Sequence, residues 1–178
     1  MKPTFLPLVI IFGFISCKDD DHGPGSPLKG CCGNEAIDTD LGNGHIYVPN
    51  IFTPNADGHN DVLGVCGISI DLLVEFEIRD KSGKVVFEIF GAEVCDFSKG
   101  WDGKVDGEVV EGVFDVLISV LAEDGTSHTV EGKVCNFPCD GENVTERVPY
   151  GNCQFPAQLT NGYYCPTCPS GEGGECYE

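Results

Sequence analysis

Positive charge is scarce in this sequence. Ten Lys plus Arg stand against 29 Asp plus Glu, a net charge of −19 over 178 residues. A surface that acidic repels phosphate backbones, which excludes nucleic acid as a direct partner. Long apolar runs are also missing. The best of them, residues 5–14, falls short of the roughly twenty residues that a membrane-spanning helix needs. No window carries an apolar stripe at helical spacing, which argues against a helical bundle. Catalytic signatures are absent too: there is no Gly-x-Ser-x-Gly elbow, no His-Glu-x-x-His and no phosphate loop. His22, His45, His59 and His128 sit in unrelated contexts. The chain therefore reads as non-enzymatic.

What is present points outward from the cell. Eleven cysteines suit an oxidising compartment, where disulfides persist. Lys2 and the short apolar run at 5–14 fit the basic start and core of a secretion signal. The run closes in Phe14-Ile15-Ser16-Cys17, which resembles a bacterial lipobox. That resemblance implies a signal peptide over residues 1–16 and acylation of Cys17, giving stable membrane anchoring. Lys18-Asp19-Asp20-Asp21 follows at once and resembles the export signal of surface lipoproteins in bacteria that use type IX secretion. Residues 22–29, rich in Gly, Pro and Ser, read as linker, so 17–44 is assigned to an acylated tether. Removing Cys17 from the count leaves ten cysteines: Cys31, Cys32, Cys66, Cys95, Cys135, Cys139, Cys153, Cys165, Cys168 and Cys176. This even set suits disulfides better than a zinc cluster in an exported chain. The connectivity stays open, although bonds from the vicinal pair Cys31-Cys32 would pin the tether to the folded body.

The middle of the chain has β character. Gly 24 and Pro 11 supply turns between short apolar runs. Strands are expected over 46–52, 68–78, 85–90, 112–121 and 127–137, with a shorter apolar run at 62–65. Val74-Glu75-Phe76-Glu77-Ile78 alternates as a half-buried strand does. In the run 112–121, Phe114, Val116, Ile118 and Val120 form the face expected in the core. Asp80-Lys81-Ser82-Gly83 and Glu123-Asp124-Gly125-Thr126 are turn signals. The fold class is all-β: a small immunoglobulin-like β-sandwich over 45–137, followed by a disulfide-rich irregular tail over 138–178. The tail has too few aliphatic residues to build a core of its own. Trp101, the single tryptophan, reads as a core plug, or as a partner contact were it exposed. Phe155, Tyr163 and Tyr164 in the tail are either cover for the sandwich or a contact surface for a partner.

One stretch organises the rest: Val48-Pro49-Asn50-Ile51-Phe52-Thr53-Pro54-Asn55-Ala56-Asp57-Gly58-His59-Asn60-Asp61. Asn55, Asp57 and Asp61 space oxygens as part of a calcium loop does. The alternative is a turn held by Asx side chains without an ion. The order of residues resembles the gliding-motility-associated C-terminal domain, the type B sorting domain of type IX secretion. Later landmarks recur in order: Arg79 with the Gly83 turn, Val86-Phe87-Glu88, Trp101-Asp102-Gly103, Gly112-Val113-Phe114 and Gly132-Lys133-Val134. The family's Arg-Trp-Gly turn is here Arg79-Asp80-Lys81-Ser82-Gly83, without tryptophan. The resemblance implies a small β-sandwich. Together these readings lead us to expect a lipid-anchored outer-membrane protein facing the cell exterior. Its expected role is accessory or docking subunit of an outer-membrane protein complex serving secretion, gliding, nutrient uptake or outer-membrane protein assembly. The alternatives are a binding module for glycan, peptide or calcium, and type IX cargo with a type B sorting domain.

Overall fold

A computed structural model describes residue 31 and residues 34–138, together with the backbone of 156–157 and 165–169. The strands in chain order are β1 (Ile37–Asp40), β2 (His45–Val48), β3 (Ile51–Phe52), β4 (Cys66–Ile68), β5 (Ile70–Arg79) and β6 (Val85–Ala92). Then come β7 (Lys104–Val105), β8 (Glu108–Val109), β9 (Gly112–Ala122), β10 (Ser127–Asn136), β11 (Pro156–Ala157) and β12 (Cys165–Pro169). One short 3-10 turn, Phe97–Lys99, interrupts the β structure. Among the described residues no helix is long and apolar enough to cross a membrane.

Two sheets make the sandwich. The smaller runs β1-β2-β4 and the larger β3-β10-β9-β5-β6. The chain is all-β, as expected. Strand β9 shows why the sheets stack. Phe114, Val116, Ile118 and Val120 alternate inward and are buried, while Asp115 faces solvent. They meet Ile46 and Val48 from β2, Phe76 and Ile78 from β5, and Val134 from β10 in one core. Burying each large apolar side chain contributes about 1.5–3 kcal/mol. Sheet contact is closest where Ile37 crosses Gly132. A Cβ at 132 would lie 2.6 Å from Cγ1 of Ile37. Glycine there lets the first strand settle onto β10.

Several sequence expectations change. The run 46–52 is two strands in different sheets: β2 pairs with β1 and β4, whereas β3 runs parallel to β10. The chain switches sheets at Pro49-Asn50, where proline has no N–H to give a ladder. The run 68–78 divides likewise at Ser69, whose φ is +56°. Val74 lies outside the core, because the pairing of β5 with β9 shifts register between Leu73 and Glu75. That bulge inserts a residue and sends Val74 to the exposed side. The first strand, β1, lies within residues assigned to the tether. Its partner is β2 (Ile37 opposite Val48), and its alternation is too short to stand out in sequence. The hairpin β7–β8 follows the Trp101-Asp102-Gly103 landmark, where no strand is expected from sequence.

Among the described residues two disulfides are formed. Cys31–Cys135 closes a separation of 104 residues, and Cys66–Cys95 one of 29. The first ties the segment before β1 to the last strand of the larger sheet, as expected of a bond that pins the tether. Cys32, Cys139, Cys153 and Cys176 lie outside the described residues. Cys165 and Cys168 lie in β12, described in its backbone pairing with β11 alone.

Candidate functional site

The loop after β3 builds itself from its own side chains. Thr53 is fully buried and its N–H donates to the Asn60 carbonyl at 2.9 Å. Asp61 accepts from the Ala56 and Gly58 N–H groups at 2.5 and 2.8 Å, one on each carboxylate oxygen. Oδ1 of Asp57 accepts from the His59 N–H at 2.8 Å, and Oδ1 of Asn55 from the Asp57 N–H at 3.1 Å. The side-chain N–H of Asn55 reaches the other Asp57 oxygen at 3.3 Å. Three residues have positive φ: Ala56 (+65°), Gly58 (+91°) and Asn60 (+48°). Only glycine enters that region without steric cost, so the hydrogen bonds hold the other two there. The structure thus places Asn55, Asp57 and Asp61 in one hydrogen-bonded loop. It does so as an Asx-stabilised turn, with carboxylate oxygens directed at backbone N–H donors.

This loop stands on the Trp101-Asp102-Gly103 turn. Leu63 and Trp101 exchange backbone hydrogen bonds at 2.8 and 2.9 Å. Trp101 is buried, with ring centroids 5.4 Å from Phe52 and 4.8 Å from Phe114. Its indole N–H donates to the Lys104 carbonyl at 3.0 Å, so the polar end of the ring is satisfied within the core. Trp101 is therefore the core plug. As an exposed partner contact it is corrected, because the β7 side of the turn closes over it. Gly103 has φ +76°, and a Cβ there would sit 2.6 Å from Nδ2 of Asn136 and 2.8 Å from Cγ of Pro54. That close approach explains why the motif needs glycine. Asp102 caps the turn, accepting from the Lys104 N–H at 3.2 Å.

Asn136 is the residue sequence reasoning missed. It is buried, and its side-chain N–H groups donate to the Gly103 carbonyl at 2.8 Å and the Val110 carbonyl at 2.5 Å. It ties β10 to the loop cluster across 33 and 26 residues. A lone Asn near the end of an expected strand gives no local signal of such a role. The acidic group on the outer face of the larger sheet was missed as well. Oxygens of Glu75, Glu77 and Glu88 lie within 4.8 Å of one another. Arg79 holds Glu77 through Nε at 2.5 Å and Nη2 at 2.8 Å.

Two exposed turns carry perturbed carboxylates. The Ser82 hydroxyl, then the Ser82 and Lys84 N–H groups, hold Asp80 below its ordinary range. The Asn43 side chain, then Thr126, does the same for Asp124. The Asn43–Asp124 bond, 2.6 Å long, links the β1–β2 turn of one sheet to the β9–β10 turn of the other. Cys17, Lys18, Asp19, Asp20, Asp21, Phe155, Tyr163 and Tyr164 lie outside the described residues.

A two-sheet sandwich with a hydrogen-bonded surface loop braced on a buried Trp-Asp-Gly turn defines a small β-sandwich module. Residues 46–134 match the CHU_C Type IX secretion signal domain. The match spans half of the chain, and the chain belongs to that family. No curated protein matches. Among solved structures, CopC from Methylosinus trichosporium OB3b is similar at 15% identity and a TM-score of 0.38, covering 59% of this chain and 96% of that one.

Proposed function

We propose that this protein is a non-enzymatic cell-surface protein carried outward as type IX cargo, with residues 45–137 as the module the exporter reads. The observation that carries the reading is the family membership of residues 46–134. A folded signal must present a constant shape to its receptor, and the 53–61 loop suits that need. Its backbone is fixed by hydrogen bonds to its own side chains and by the Leu63–Trp101 pairing beneath. Residues 17–44 supply the acylated tether through Cys17, and 138–178 the cysteine-rich tail. The protein then resides on the outer membrane, lipid-anchored and facing the exterior. The experiment is surface proteolysis of intact cells carrying deletion variants. Loss of display on removing 46–137, with display kept on removing 138–178, supports the reading. Undiminished display without 46–137 overturns it.

A second reading has its own support. Phe14-Ile15-Ser16-Cys17 and Lys18-Asp19-Asp20-Asp21 supply an anchor and an export signal independent of the sandwich. On that reading the sandwich is a docking module, and the protein is an accessory subunit of an outer-membrane complex. Display that depends on Cys17 and not on 46–137, with co-purification of a membrane partner in mild detergent, favours it over the cargo reading.

A further inference from the structure

Strand edges carry backbone N–H and C=O groups without a ladder partner, and proteins guard them by shortness, charge or proline. Three of the four edges of the two sheets follow that practice. Strand β3 has two residues, pairs with Cys135 and Asn136 alone and runs into Thr53-Pro54, so the rest of the β10 edge is guarded by the charges of Glu131 and Lys133; β4 has three residues, and β1 has four, of which two are Asp38 and Asp40. The fourth does not. Strand β6 has eight residues, Val-Val-Phe-Glu-Ile-Phe-Gly-Ala, with no Lys and no Pro. Among the described residues its one ladder partner is β5. Its two faces differ. Phe87 and Ile89 sit on the core side and are only half-buried. Phe90 sits on the outer side opposite Glu75 and is 62% exposed, and Glu88 lies opposite Glu77. The outer side is acidic: oxygens of Glu75, Glu77 and Glu88 gather there, Glu77 buried and held by Arg79, Glu88 exposed.

We propose that the β6 edge docks an extended segment of a partner protein as an added strand, and that this segment alternates basic and apolar side chains. Side chains of an added strand alternate between faces. One set lies on the outer side beside Glu88 and Phe90, where Lys or Arg is complementary to the exposed Glu88 carboxylate. The other set meets Phe87 and Ile89, where an apolar side chain completes their burial. A second copy of the chain does not suit the edge, because β6 against β6 would bring Glu88 towards Glu88, and like charges across strands destabilise. The chain's own residues 139–178 do not suit it either. They carry Asp140, Glu142, Glu146, Glu172, Glu175 and Glu178 against Arg147 alone.

The test uses the full chain and a short labelled peptide alternating lysine with valine, with its glutamate-for-lysine counterpart as control. The expected result is slowed amide exchange across Val85–Ala92 with the lysine peptide alone. Glu88→Lys should weaken binding about tenfold, as charge reversal at a docking edge does, and Phe90→Ser should weaken it as well. Both side chains are exposed, so both variants should melt as the parent does, and the exchange map on the unaltered chain stands apart from either. Protection absent from β6, equal binding of the glutamate peptide, affinity unmoved by Glu88→Lys, or dimerisation through β6 would each overturn the proposal. The export reading survives any of these outcomes, because it rests on the family membership of residues 46–134 as a whole and not on the β6 edge.

Discussion

Trp101 and Gly103, on one turn, and Asn136, at the end of β10, join two distant parts of the chain through one buried cluster. Removing the indole opens a large cavity under the 53–61 loop. Trp101→Ala should cost about 3–5 kcal/mol, read as a fall in the urea midpoint with an unchanged slope. Asn136→Ala strands the Gly103 carbonyl in a buried place, at a cost of about 1–3 kcal/mol. The role of Trp101 was legible, because a single tryptophan amid turn residues has few places to go other than a core. That of Asn136 was not, because its partners lie far away in sequence. Asp80 and Asp124 give a pH dependence. Both carboxyls titrate below the ordinary 3.8 in the folded chain. Their contribution is present above about pH 4 and is lost as pH falls from there through the folded values. Asp124→Asn should therefore make acid unfolding shallower on that limb, measured by fluorescence of Trp101.

Strands were legible where alternation ran long and hidden where the chain changed sheets. Phe114, Val116, Ile118 and Val120 announced the core face of β9 because both its neighbours are long strands with one side covered. The switches at Pro49-Asn50 and Ser69 could not be seen, since an apolar run reads the same whether it stays in one sheet or crosses to the other. The outward turn of Val74 depends on a bulge, which is a property of the pairing with β9 rather than of β5. The Cys31–Cys135 bond acts at this level by fastening β1 and the segment before it to β10. With a separation of 104 residues, removing it through Cys31→Ala with Cys135→Ala should cost about 4–5 kcal/mol on loop entropy. Thermal melts with and without reductant check this. Gly132→Val should lower the melting temperature as well, because the added side chain meets Ile37 and pushes the two sheets apart.

At the scale of the molecule, an acidic chain that belongs to a secretion signal family carries a disulfide-bonded sandwich within residues 34–138. That much was legible from the 48–61 motif, the ordered later landmarks and the cysteine count. Composition carried no mark of the open β6 edge, which exists only once the strand order is known. The 53–61 loop reads in sequence either as part of a calcium loop or as an Asx-stabilised turn. Its geometry makes it self-supporting, so chelation should leave the melting temperature unchanged in calorimetry. The central claim is that residues 46–134 act as an export signal read by the type IX machine. The most direct measurement is surface protease accessibility of the unaltered chain, made in cells with that machine intact and in cells with it inactivated. Exposure in the first and retention behind the outer membrane in the second is the predicted result. Equal exposure in both would contradict it.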